Sequence, residues 1–257
     1  MIKYKKTLIF IILILFALPP ASGSKFEELD KPPEGAHKGQ IFLGAVVGLG
    51  IPFGDMLSNE KNFLKDEQYS FSDIGTTKEL TVAHLSYDYG INFEYMPLDY
   101  IGAKTRIKNI AIVQRTLFGS NYKNWNESIF KSFVLTAGPS FHLTNRKMWD
   151  ITLSPFLGYY VGKYSATPIA AILLKENGYS GNMNRNVNGL AYGADLSFVA
   201  YFSGGLYISC GIEWTVYNLK FSPGYNLIHN NKTYISGNTG SIHTGNLVFS
   251  AGYAFDN

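Results

Sequence analysis

Three bases stand at alternate positions in IGAKTRIKN, residues 101–109: Lys104, Arg106 and Lys108. Side chains two apart on a β-strand share a face, so this spacing builds one positive wall. Such a wall can bind an anion, or it can be neutralised by carboxylates of the same fold. Asp88, Glu94, Asp195 and Glu213 are the acids placed to do the second. Two other groupings have the composition of a nucleophile with a base. Ser140 and His142 are two apart, and His243-Thr244-Gly245 sets a histidine beside small residues. Gly48, Gly50 and Gly54 lack the spacing of a dinucleotide loop, and no helical pattern follows them. There is no HExxH and no Cys/His metal spacing, so neither a metal nor another cofactor is indicated. Asn126-Glu-Ser and Asn231-Lys-Thr match the glycosylation sequon, a match that is common by chance.

The N-terminus bears on the compartment. Lys3, Lys5 and Lys6 precede an apolar run from Leu8 to Leu18, then Pro19-Pro20 and the small residues Ala21-Ser22-Gly23. The run is shorter than the roughly 20 residues of a spanning helix and has the layout of a secretory signal, residues 1–23, cut before Ser24. Its removal takes away three Lys and no acid, so 22 − 3 = 19 bases face 19 acids and the net charge falls from +3 to 0. A nucleic-acid partner then loses its electrostatic support. The one cysteine, Cys210, has no partner for an internal disulfide.

The elements that must position these charges are strands. Tyr (18), Phe (18) and Gly (26) are frequent, a mixture that suits strands and turns. After a polar lead-in, residues 24–39, read as a flexible periplasmic segment, a period of two recurs eight times, near 41–53, 80–95, 100–113, 132–143, 151–163, 190–202, 206–218 and 242–255. One face of each segment is apolar and rich in aromatics, as in Leu85, Tyr87, Tyr89, Ile91, Phe93 and Tyr95. The other is small or polar, as in Ser86, Asp88, Gly90, Asn92 and Glu94. Long connections near 54–79, 114–131, 165–188 and 219–241 alternate with the short ones 96–99, 144–150 and 203–205.

Eight inward rows of Phe, Tyr, Leu and Trp would overfill a barrel whose interior is just wide enough for side chains. With the apolar rows toward lipid the pattern fits, and closure leaves no unpaired strand edge in hydrocarbon. Tyr95, Tyr100, Phe141, Trp149, Phe202, Tyr253 and Phe255 gather near the short-turn end, where such barrels carry an aromatic girdle. In this architecture, over residues 40–255, the chain resembles the small eight-stranded outer-membrane barrels of the OmpA/OmpX-like class. The last strand, LVFSAGYAF, looks like the aromatic-terminated signal read by barrel-assembly machinery, except that Asp256 and Asn257 follow Phe255. The resemblance implies an all-β, eight-stranded antiparallel up-and-down transmembrane barrel in the outer membrane of a Gram-negative-type bacterium. It also implies both termini in the periplasm and the long loops outside.

In that frame Asp88, Glu94, Lys104, Arg106, Lys108, Asp195 and Glu213 all face the lumen and form a salt-bridged plug, because buried charges are tolerated when paired. Glu94 and Asp88 lie on the wall beside the bases, and Glu213 reaches them from across the barrel. Some eight-stranded barrels modify lipid A with a His and a Ser two residues apart on a lipid-facing strand end. Here His243 meets Gly245 where that Ser would stand, while Ser140 and His142 face the lumen, out of reach of lipid. Cys210 faces lipid by parity. The expected function is therefore non-enzymatic, carried by surface loops that contact protein or glycan ligands, or by a structural role in the envelope. Tyr69, Phe71, Tyr122, Trp125, Tyr225 and Tyr234 are the candidate loop contacts. A lipid A-modifying enzyme and an exported soluble barrel binding an apolar ligand are the alternatives.

Overall fold

The computed structural model describes residues 35–58, 80–118, 125–165, 184–222, 227–229, 232–235 and 238–256. The segment read as a signal and the candidates Tyr69, Phe71, Tyr122 and Tyr225 lie outside the described residues. The strands are β1 (Ile41–Phe53), β2 (Leu80–Leu98), β3 (Ile101–Phe118), β4 (Trp125–His142), β5 (Trp149–Ser165), β6 (Asn184–Tyr201) and β7 (Leu206–Ser222). A small hairpin of β8 (Leu227–His229) and β9 (Lys232–Ile235) precedes β10 (Thr239–Phe255). Each long strand pairs antiparallel with its chain neighbours, and β1 closes on β10 from Ile41↔Phe255 to Phe53↔His243. The result is a closed eight-stranded antiparallel up-and-down barrel.

Alternation sorts the side chains across this wall. Ile51, at 69% exposure, and Ile212, at 63%, stand on the outside with Leu49, Phe93, Leu135, Leu157, Phe198, Trp214 and Phe249. A monomeric soluble protein rarely exposes more than a few hundred Å² of contiguous apolar surface, whereas a lipid-facing wall consists of it. The girdle residues Tyr95, Tyr100, Trp149, Phe202, Tyr253 and Phe255 are exposed on the same wall, as is Cys210.

Several boundaries differ from the sequence reading. Pairing continues to Thr116↔Trp125 and to Ser165↔Asn184, so the strands run well into the segments read as long loops. Trp125 is the first residue of β4 and Tyr234 belongs to β9, so neither sits in irregular loop. The physical reason is that the strands outrun their apolar rows, and alternation of apolar residues cannot mark an end that lies beyond lipid. At the opposite end, residues 35–39 of the lead-in are tied down rather than free. The Gly39 amide donates to the Met96 carbonyl at 2.7 Å, the Lys38 amide donates to Asp99 at 2.9 Å, and Ala36 is buried.

The lumen is layered. Toward the long loops, Ile110, Ile112, Phe130, Val134, Tyr160, Tyr164 and Tyr217 fill it with apolar and aromatic bulk. Tyr160 and Tyr217 meet edge to face at 5.5 Å between ring centroids, a favoured geometry. Toward the short turns, Phe42, Met96, Tyr201 and Tyr207 form a second apolar layer. The assignment of small or polar residues to the lumen therefore holds for the middle of the wall and fails at both ends, where apolar and aromatic side chains fill the interior as well.

Candidate functional site

Between those two layers lie the charges. β3 delivers Lys104, Arg106 and Lys108 to the lumen from one face, and the strands opposite return carboxylates. Asp195 on β6 accepts from Lys104 Nζ at 3.3 Å and from Arg106 Nη2 at 3.0 Å. Glu213 on β7 accepts from Arg106 Nη1 at 2.7 Å and from Lys108 Nζ at 2.5 Å. Asp88 on β2 lies 3.7 Å from Lys108 Nζ. Three cations and three anions thus sit together with their side chains almost wholly removed from water.

Neutral groups complete the carboxylates. Ser197 Oγ donates to Asp195 at 2.8 Å, Thr215 Oγ1 to Glu213 at 3.0 Å, and Asn246 Nδ2 to Asp88 at 2.7 Å. Ser86 Oγ in turn donates to Asn246 Oδ1 at 2.7 Å, which fixes that amide's orientation. Gly48 is the cross-strand partner of Asp88, and a Cβ there would lie 2.5 Å from Asp88 Oδ2. The missing side chain is what admits the carboxylate.

Glu94 separates from this group. It is the register partner of Lys104, yet its carboxylate turns toward the short-turn end, where Ser140 Oγ and His142 Nε2 both bond to Oε1, the latter at 2.9 Å. On the other side of the ring, His142 Nδ1 meets Asp150 Oδ2 at 2.6 Å. Asp150 was not foreseen because it lies in TNRKMWD, read as a turn; its parity with Thr152 and Ser154 was the available signal. Its second oxygen accepts the Thr144 and Asn145 amides at 3.1 and 2.8 Å, with Asn145 at a left-handed φ of 38°. One carboxylate therefore shapes the β4–β5 turn and orients His142.

Ser140, His142 and Asp150 have the order of a Ser-His-acid triad, with Ser140 Oγ 3.3 Å from His142 Nε2. The chemistry fails on Glu94. A triad base needs its Nε2 free to take the serine proton, while here Nε2 faces the Glu94 carboxylate at 2.9 Å and Nδ1 faces that of Asp150 at 2.6 Å. Ser140 is fully buried, and the neighbouring cavity, lined by Phe42, Asn92, Lys104, His142 and Tyr207, has a volume of about 20 Å³. That is space for a water, not for an acyl chain. His243 lies instead on the outer wall, its ring 5.3 Å from that of Phe53 and 6.1 Å from that of Trp214.

No protein-family model matches the chain, and no curated protein does. Among solved structures it is similar to the outer membrane protein OprG from Pseudomonas aeruginosa, at 12% identity and a TM-score of 0.49, over 87% of this chain and 99% of that one. It is also similar to Ail, the attachment invasion locus protein of Yersinia pestis, at 15% identity and a TM-score of 0.38, over 85% and 99% of the two chains. Ail in complex with the heparin analogue sucrose octasulfate aligns at 15% identity and a TM-score of 0.42, over the same shares. The closed barrel with apolar rows outside is the architecture expected from the resemblance to small outer-membrane barrels.

Proposed function

We propose that this chain is an outer-membrane barrel with a closed lumen and no catalytic chemistry. It presents its long-loop end at the cell surface for adhesion or ligand contact, or as a structural element of the envelope. One observation carries the reading. The apolar outer rows end at Phe133 and Val161, while strand pairing continues to Trp125 and Ser165. Strand residues advance about 3.3 Å each, so β3 and β4 continue roughly 25 Å along the strand past the apolar rows. Paired strands at that end hold the loops on a stiff support, the arrangement by which variable segments are displayed for contact.

The charged layer braces this support from inside, and the layers above and below it oppose a pore. Deleting each of the four long loops in turn, and measuring attachment of expressing cells to immobilised proteins and glycans, tests the reading. Loss of attachment with one loop missing supports contact; unchanged attachment together with unchanged detergent sensitivity for all four deletions refutes both roles. A lipid A-modifying reading has His243 on the outer wall in its favour, and Gly245 where the second catalytic group would stand against it. A lipid A profile altered by His243→Ala would establish it. Recovery of the mature protein in the soluble periplasmic fraction would establish an exported soluble barrel instead.

A further inference from the structure

Lys131 on β4 and Lys163 on β5 are direct cross-strand partners, and both are exposed on the outer wall. Like charges directly opposite one another destabilise a sheet. Among the described residues neither lysine has an ion-pair partner. The same row continues to Asn186 on β6, the register partner of Lys163, also exposed. One row lower on the next pair of strands, exposed Lys220 on β7 faces Asn188.

The row has a defined height on the wall. Immediately beneath it are Phe133 and Val161, themselves cross-strand partners and about half exposed. Below them the apolar wall of β5 continues through Tyr159 and Leu157 to Leu153. A strand needs about 9 to 11 residues to cross the hydrocarbon when tilted, which is the length of that apolar stretch. Lys131, Lys163 and Asn186 thus stand where the hydrocarbon ends at the long-loop side, the level of lipid headgroups. Two ammonium groups and a carboxamide, with no carboxylate in their row, match an anion with several acceptor oxygens.

We propose that Lys131, Lys163 and Asn186 bind the phosphate of an anionic lipid headgroup in the leaflet on the long-loop side, with Lys220 supporting from the adjacent row. The bound phosphate resolves the opposition between the two lysines. The inference rests on the outer-membrane reading above. It assigns that wall a preferred lipid rather than an indifferent solvent.

The test uses the full mature chain folded into phosphatidylcholine vesicles that contain either diphosphoryl lipid A or its dephosphorylated form. Lipid retained after mild detergent extraction is counted by native mass spectrometry. The wild type is expected to retain the phosphorylated form at least fivefold over the dephosphorylated one. Lys131→Gln with Lys163→Gln is expected to abolish that preference while keeping heat-modifiable migration, and Lys131→Arg with Lys163→Arg to preserve it. Lys147→Gln, at the exposed short-turn end, should change nothing. No preference in the wild type, or a preference that survives the double Gln variant, overturns the proposal. Displacement by millimolar inorganic phosphate would mean a free anion is the ligand. Heparin binding lost in the double variant, with lipid retention unchanged, would mean a soluble polyanion is. Failure of the wild type to enter vesicles would instead overturn the outer-membrane reading itself.

Discussion

Replacing Glu213 by Gln removes one charge from the centre of the lumen while keeping the side chain's shape. Glu213 accepts from Arg106, Lys108 and Thr215, and it balances a layer of three cations and three anions. The variant leaves Lys108 facing an amide, with Asp88 at 3.7 Å as its remaining carboxylate. Removing one partner of a buried ion pair costs about 3–5 kcal/mol, because the other charge stays buried and uncompensated. Against a total stability of about 5–15 kcal/mol that is a large share. The second step is diagnostic. Adding Lys108→Met to Glu213→Gln leaves Lys104 and Arg106 against Asp88 and Asp195, and Asp88 keeps its bond from Asn246. Neutrality returns, and about 2 kcal/mol of the loss should return with it, within the usual range of coupling between contacting residues. Urea unfolding in vesicles, followed by tryptophan fluorescence and by heat-modifiable migration, gives the free energies by linear extrapolation. A Glu213→Gln variant within about 1 kcal/mol of wild type, or a double variant less stable than the single, would refute the reasoning.

Other expectations follow from the same geometry. Gly48→Ala would place a methyl group 2.5 Å from the Asp88 carboxylate and should cost about 1–3 kcal/mol in the same assay, as overpacking does. Gly245→Ala, with no atom within 4 Å of the added carbon, should be neutral. His142→Leu leaves Glu94 and Asp150 buried without their shared partner and should cost about 3–5 kcal/mol, whereas Ser140→Ala, losing one donor, should cost about 1 kcal/mol; neither should alter the lipid A profile. In vesicles, exposed Cys210 should react with a membrane-soluble maleimide and resist a charged thiol reagent, and equal reactivity would contradict a lipid-facing wall. In planar bilayers the purified barrel should show no porin-sized conductance, given the bulk of Phe130, Tyr160 and Tyr217 above the charged layer.

The wall was legible in the sequence because lipid and lumen impose opposite demands at successive positions. The period of two that placed Phe93 outside and Glu94 inside fixes a side chain's face, and the structure agrees on both. The same period says nothing about height along the barrel axis. Sequence alone therefore groups Glu94 with Lys104, its neighbour in register, although its carboxylate turns down to His142. Asp150 is hidden in the sequence because a short connection with Asn, Arg and Asp looks like a turn whatever its last residue binds. Ile110, Ile112, Phe130 and Tyr160 went unassigned to the lumen because they are apolar on the polar face. The strand ends at Phe118 and Trp125 lie above the apolar rows, where the alternation that reveals a strand no longer has lipid to answer to.

The cross-lumen pairs also constrain the order in which this chain can be made. Lys104, Arg106 and Lys108 arrive with β3, but Asp195 and Glu213 are separated from Arg106 by 89 and 107 residues, on β6 and β7. A nascent sheet ending at β5 holds three cations in its central row against Asp88 alone, with Glu94 committed to His142. Such a fragment has an uncompensated positive interior and a hydrocarbon exterior, so it is penalised in the bilayer until the last strands arrive. Charge neutrality of the lumen is thus a property of the completed barrel and of no fragment that ends at β5.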